Sequence, residues 1–354
     1  MKIENIPQHS LAFFDEGKEE DGGGGARYER PWLLADIGGT NARFGLQTAA
    51  GRIDAIWVAE CAAYPTLGAA IVQYLSQPAT VAAGGYQARQ AGIAIANPID
   101  GDAVRMTNHH WSFSIEAICS QFSLTSLHVV NDFAALARAV PFLSAQHRVQ
   151  VGGGEARARG VIGLVGAGTG LGVAGLVPAG REWIALDSEG GHSTFAAVSE
   201  REIHILRKAS ERYGHVSAER VVSGPGIRLI YEVLAERAGA APQALGMQAI
   251  DTPAIIERGL RGECLVCVET LETFCEMLGT IAGNVAITLG ARGGIYIGGG
   301  IVPRLGAFFD RSGFRARFEQ KGRLSSYNAQ IPTYVITADY PALIGMSVIL
   351  AELA

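Results

Sequence analysis

No basic stretch running into an apolar one opens this sequence, so the N-terminus does not read as a secretory signal. Positive charge is not in excess either. Lys and Arg number 29 against 34 Asp and Glu, a net charge of -5, which argues against nucleic acid or an anionic membrane as the main partner. Cysteine is scarce and odd in number, five in 354 residues, so reduced thiols and a cytoplasmic location are expected instead of a disulfide framework. Two common phosphate motifs are missing. No G-x-x-x-x-G-K-[ST] occurs, and Leu171 stands where a dinucleotide fingerprint beginning near Gly168 needs glycine. Residues 160–180 carry no charge and are long enough to raise the question of a membrane span. Seven glycines fall within residues 160–175, and Arg157, Arg159 and Arg181 flank the stretch. It therefore reads as strand–turn–strand, and no membrane partner is expected.

What is present describes a well-packed α/β protein: 48% hydrophobic and 18% charged residues, with a length that favours two domains. Two segments share one design. In the first, the apolar run from Leu33 ends in Asp36, crosses Gly38, Gly39, Thr40 and Asn41, and resumes to Leu46. Apolar–turn–apolar with glycines at the apex predicts a β-hairpin. Such a turn gathers backbone N–H groups into a concavity that suits phosphate oxygens. Asp36 beside those oxygens calls for a cation, and Mg²⁺ favours a carboxylate plus substrate phosphates. An ordinary hairpin in which Asp and Asn only support the turn fits the same residues. Residues 161–177 repeat the pattern around Gly168, Thr169 and Gly170. The repeat suggests two similar domains, each giving one phosphate hairpin to a shared cleft.

Other residues carry chemistry of their own. A strand at 127–130 runs into Asn131 and Asp132 before a helix at 133–140. Asp132 is either a plain N-cap or a carboxylate at the strand edge where α/β sheets bind ligands. Glu189 and His192 lie across two glycines, so one tight turn can aim both at one object. An acceptor beside an imidazole suits a polyhydroxylated ligand better than a metal, and a solvated turn is the plain alternative. A long helix at 263–289 follows from Leu265, Val268, Leu271, Phe274, Leu278, Ile281, Val285 and Leu289. Cys264 and Cys267 fall on or near that stripe and read as core. Gly298, Gly299 and Gly300 follow a buried strand and would let a flat ring approach the backbone. Further helices are expected at 67–76, 199–213, 227–238 and 341–353, with strands at 53–60, 91–96 and 333–337 and Ser217 as an N-cap. The polar and aromatic stretch 100–114 is expected as a binding loop. Residues 1–30, acidic and then glycine-rich, are expected as a flexible leader too short for a helix-turn-helix domain.

Seven stretches in order carry a family resemblance: Asp36 to Arg43, residues 96–114 with Met106, Thr107, Asn108 and His109, Asn131 to Phe133, Gly166 to Gly172, Glu189 to His192, Val216 to Arg220 with Ser223 to Gly226, and residues 295–304. Together they resemble the bacterial glucokinase family of the actin-like ATPase and sugar-kinase superfamily. The resemblance implies two ribonuclease-H-like domains flanking a central cleft, a smaller one of 31–142 plus 338–354 and a larger one of 143–337. It implies ATP-dependent phosphorylation of the 6-hydroxyl of D-glucose to glucose 6-phosphate, the first reaction of glycolysis. Asn131, Asp132, Glu189, His192 and Glu219 would hold glucose, with Asp132 as general base. Asp36 would organise Mg²⁺ through water. Gly38, Gly39, Thr40 and Asn41, with Gly168, Thr169 and Gly170, would hold the ATP phosphates, and Gly298, Gly299 and Gly300 would border adenine. A homodimer is implied as well. Relatives that carry structural zinc use a Cys-rich motif after a His, absent here, so no zinc is expected. The alternatives are a kinase for mannose, fructose or an N-acetylated sugar, and a catalytically inactive sugar-binding regulator. The presence of both Asp36 and Asp132 counts against the last.

Overall fold

A computed structural model describes residues 10–12, 27–97, 99–106, 109–180, 182–239 and 250–354. Thr107 and Asn108 of the expected binding loop, and most of the expected leader, lie outside the described residues. The chain divides into two compact units, Met1–His147 with Ala338–Ala354, and Arg148–Thr337.

The first unit holds β1 (Leu11–Ala12), β2 (Trp32–Ile37), β3 (Asn41–Ala49), β4 (Arg52–Glu60), β5 (Gln90–Ile95), β6 (Ala103–Arg105), β7 (Ser112–Ser114) and β8 (Ser126–Asn131). Its main sheet runs β1-β4-β3-β2-β5-β8, and β6 pairs with β7 apart from it. β2, β3 and β4 form an antiparallel meander, while β5 and β8 run parallel to β2. β2 is apolar almost throughout because both faces of the sheet are covered. Leu33, Ala35 and Ile37 join the core that holds Leu67, Ile71 and Tyr74 of the helix Leu67–Leu75. On the other face the helix Pro341–Leu353 closes in; a Cβ on Gly92 of β5 would lie 2.5 Å from Met346. The same helix packs on the helix Asp132–Ala139, where a Cβ on Gly345 would lie 1.7 Å from the Ala135 carbonyl oxygen.

One expectation for this unit needs correction. Part of the leader is structured: Leu11 and Ala12 pair with β4, whose outer edge offers free backbone groups, and the Ser10 hydroxyl donates to Asp54 at 2.6 Å. Within the expected binding loop, Ala103–Arg105 pair with Ser112–Ser114, and Trp111 is core, 1% exposed, with the indole N–H donating to the Tyr64 carbonyl at 2.9 Å.

The second unit holds β9 (Arg148–Val151), β10 (Ile162–Ala167), β11 (Leu171–Ala179), β12 (Glu182–Ser188), β13 (Gly294–Gly298) and β14 (Thr333–Ile336), in the order β12-β11-β10-β13-β14-β9. Apart from β9, which pairs antiparallel at the far edge, the pattern is that of the first unit. An antiparallel meander is followed by two strands parallel to its first member. The ribonuclease-H-like arrangement thus occurs twice. The helix Leu265–Leu289 packs Leu271, Phe274, Leu278 and Ile281 into the core with Val165, Ile295 and Ile297 of the sheet. It starts two residues later than expected because Cys264 is its N-cap, the sulfur accepting the Cys267 N–H at 3.4 Å. Cys267 is buried, which pushes its thiol up to about 12. Gly290 ends the helix with φ 62°, the left-handed turn glycine enters most easily. The helix Thr252–Leu260, capped by the Asp251 side chain on the Ala254 N–H, was not expected. Among the described residues no helix is long and apolar enough to cross a membrane.

Candidate active site

In the first unit β2 and β8 flank β5 in parallel, and the register aligns Ile37 with Ile95 and Ile95 with Asn131. Asp36 and Asn131 therefore reach the same edge of the sheet, about 10 Å apart at one strand spacing per step. Asn131 is the N-cap of the helix Asp132–Ala139; its Oδ1 accepts from Phe133 N–H at 2.9 Å and Ala134 N–H at 3.2 Å. That rules out Asp132 as the cap and leaves its carboxylate at the first helical position. Burial first, and then the charge of Asp36, push the Asp132 carboxyl up to about 6, against the pull of the Phe133 and Asp132 N–H groups. Burial also raises Asp36, while the neighbouring Arg43 guanidinium draws it back down.

The β2–β3 hairpin explains the Arg43 contact. Asp36 and Arg43 are cross-strand partners, and the guanidinium donates to Asp36 Oδ2 at 3.0 Å. Residues 38–41 turn between them, with Gly38 N–H donating to the Asn41 carbonyl at 3.0 Å. Cys61, just past β4, fastens the turn from one side. Its N–H donates to the Thr40 carbonyl at 2.8 Å and its thiol to the Gly38 carbonyl at 3.4 Å. Neither Arg43 nor Cys61 was singled out from the sequence. The Arg43 contact was within reach, since it follows from pairing Ile37 with Ala42 across a four-residue turn.

In the second unit Gly168, Thr169 and Gly170 turn between β10 and β11, with Gly168 N–H donating to the Gly170 carbonyl at 2.9 Å. Leu171 N–H donates to Glu219 Oε2 at 3.0 Å, and Gly224 N–H to the Gly168 carbonyl at 2.8 Å. Ser217 holds the N-cap position of the helix Ala218–Val221, but its side chain makes no capping bond. Its backbone instead bridges to Thr194, just past the Glu189–His192 turn. In that turn His192 Nε2 lies 3.8 Å from Glu189 Oε2, and the side chains are 60% and 84% exposed, so both present open polar faces. A Cβ on Gly191 would sit 1.9 Å from the Leu171 carbonyl oxygen, so only glycine fits between the two motifs. Gly299, at φ 82°, lies against the Ala167 carbonyl, where a Cβ would come within 2.2 Å. Gly298, Gly299 and Gly300 thus border the strand that leads into the turn. The first unit gathers Asp36, residues 38–41, Asn131 and Asp132; the second gathers residues 168–170, Glu189, His192, Glu219 and residues 298–300. Among the described residues, no group of three or more His, Cys, Asp or Glu could hold a metal ion.

Known proteins resemble this chain over most of its length. The glucokinase family model matches residues 33–353. A glucokinase of Chromobacterium violaceum is 51% identical over 327 residues, 91% of this chain and 90% of that protein. The protein named Bifunctional protein glk in Burkholderia pseudomallei is 56% identical over 322 residues, 91% of this chain and 49% of that protein. The chain thus spans about half the length of these bifunctional relatives. The crystal structure of a glucokinase from an Antarctic psychrotroph matches with a TM-score of 0.80 at 39% identity, covering 92% of this chain and 100% of that one. With a family match across nearly the whole chain and a doubled fold shared with a solved glucokinase, the chain belongs to the glucokinase family.

Proposed function

We propose that this chain is an ATP-dependent glucokinase that transfers the γ-phosphoryl group of ATP to the 6-hydroxyl of D-glucose. The observation that carries this reading is Asp132, a largely buried carboxylate raised to about 6 by burial and by Asp36. A sugar hydroxyl is a poor nucleophile, and a base of this strength takes its proton better than an ordinary aspartate while remaining mostly ionised near pH 7. Phosphoryl transfer otherwise needs positioning and charge neutralisation. Glu189, His192 and Glu219 supply acceptors and an imidazole for sugar hydroxyls. Asn131 contributes its amide N–H₂, because its oxygen is taken by the helix cap. Gly38, Gly39, Thr40 and Asn41, together with Gly168, Thr169 and Gly170, are assigned to the ATP phosphates, and Gly298, Gly299 and Gly300 to the adenine. In domain terms we assign 31–142 with 338–354 to the part that bears the base and 143–337 to the part that bears Glu189, His192 and Glu219.

The residues present also suit Mg²⁺. Asp36 and Asp132 are two carboxylates close enough to repel, and Asp36 alone among them has a cationic partner. One carboxylate completed by water and substrate phosphates is how Mg²⁺ is usually held. When bound, the ion would supply neutralisation of phosphate charge. A homodimer working in the cytoplasm completes the proposal, with sedimentation as its check.

A coupled assay with ATP, Mg²⁺ and a panel of glucose, mannose, fructose and N-acetylglucosamine tests the reaction. Glucose is expected to give the highest kcat/KM. Asp132→Asn is expected to lower kcat by roughly 10²–10⁴ while calorimetry still detects glucose binding. Near-normal turnover in that variant would remove Asp132 from its role, and preference for another sugar would reassign the substrate.

A further inference from the structure

Glu219 does more than face a ligand. Its carboxylate accepts the Leu171 N–H at 3.0 Å, and a Cβ on Gly170 would meet the same oxygen at 2.5 Å, so the carboxylate is packed directly behind the turn of residues 168–170. Glu219 is in turn held at its own carbonyl by the Ser223 hydroxyl at 2.7 Å, and the adjoining Gly224 N–H grips the Gly168 carbonyl at 2.8 Å. Leu171 is also where the other polar motif arrives, since its carbonyl abuts Gly191 between Glu189 and His192. One peptide segment, residues 168–171, is therefore braced by both groups of residues assigned to the sugar.

We propose that Glu219 is a positioning residue for the phosphate turn: by holding the Leu171 N–H it keeps residues 168–170 in the shape that receives phosphate, and so couples sugar binding to nucleotide binding. The inference rests on the kinase reading above. A carboxylate has two oxygens, and one is committed to Leu171. A sugar hydroxyl donating to the other would fix the side-chain torsions and with them the Leu171 bond. Charge-assisted hydrogen bonds of this kind are about twice as strong as neutral ones. Coupling between two ligands is reciprocal, so nucleotide must tighten sugar by the factor that sugar tightens nucleotide.

Binding of a non-hydrolysable ATP analogue with Mg²⁺, measured by calorimetry without sugar, separates this role from direct sugar contact. Glu219→Met removes the acceptor and is expected to weaken the analogue by roughly 10- to 100-fold. Glu219→Gln keeps an acceptor for the Leu171 N–H and is expected to stay within about fivefold of the unaltered chain. With saturating glucose, the unaltered chain should bind the analogue more tightly, and Glu219→Met should lose that gain. Should Glu219→Met fail to fold, Glu219→Asp, which withdraws the acceptor by one carbon, takes its place with the same expectation. Sugar-free affinity equal to that of the unaltered chain in Glu219→Met, or equal losses in the Met and Gln variants, would overturn the proposal. Absence of both glucose and analogue binding in the unaltered chain would instead bring down the kinase reading, and this inference with it.

Discussion

Asp132→Asn should stabilise the protein while removing its turnover. The Asp132 carboxyl is raised from an ordinary 3.8 to about 6. A folded-state value above the unfolded one means the native state binds the proton more tightly, so ionising the group in place costs stability. Each unit of difference is worth about 1.36 kcal/mol, which gives roughly 2–3 kcal/mol at pH 7.5 for a side chain that is largely but not wholly buried. The cost is absent below the unfolded value, grows as pH rises from about 3.8 to 6, and is complete above that window. Asparagine is neutral throughout and escapes it. In thermal unfolding without nucleotide or Mg²⁺, the variant should gain roughly 4–10 °C at pH 7.5 in the transition of the first unit. By the same linkage the gain should shrink to about a third at pH 4.5. A variant that is less stable at pH 7.5, or whose difference does not change with pH, would refute the reasoning. The combination expected, stability gained where activity is lost, marks a carboxylate retained for chemistry at a cost to the fold.

Protonation of the same group should limit catalysis in acid: kcat/KM should fall about tenfold per pH unit below roughly pH 6, and a profile flat to pH 5 would speak against Asp132 as base. Gly191→Ala forces a methyl group against the Leu171 carbonyl and should lower stability by about 1–3 kcal/mol and glucose affinity with it, as chemical denaturation and calorimetry would report. Gly345→Ala meets the Ala135 backbone and should cost a similar roughly 1–3 kcal/mol. It should also reduce kcat, since the displaced helix bears Asp132 at its first turn.

Both hairpins, the doubled strand order and the long helix were legible because their signals are local. Glycines at an apex, apolar runs of strand length and a three-to-four spacing survive without knowledge of tertiary partners. Asp36, Asn131 and Asp132 were legible for the same reason, each sitting at the end of a recognisable strand. What was missed depends on contacts distant in sequence. The burial of Trp111, within the stretch 100–114, shows only once Tyr64, 47 residues away, takes its N–H. The pairing of Leu11 and Ala12 depends on the edge of β4, far along the chain. Cys61 carries no signal in the sequence, and its hold on Gly38 is visible only once β4 returns beside the first turn. The choice between Asn131 and Asp132 as cap is a matter of one residue of helix start, which spacing does not resolve.

The two hairpins have the same topology and opposite electrostatics. One pair back from the last before each turn, the first unit sets Asp36 against Arg43, whereas the second sets Gly166 against Gly172. The first turn therefore has an anion close behind its N–H groups, paired with the Arg43 guanidinium. The second carries no charge at that pair and takes its carboxylate, Glu219, from outside the hairpin, tied to a backbone N–H. A negative charge spent on a hydrogen bond repels an incoming phosphate less than a free one. On the proposed phosphate role of residues 168–170, Gly166→Asp should weaken binding of a non-hydrolysable ATP analogue in calorimetry, because residue 172 offers no guanidinium to offset the charge; unchanged affinity would refute this.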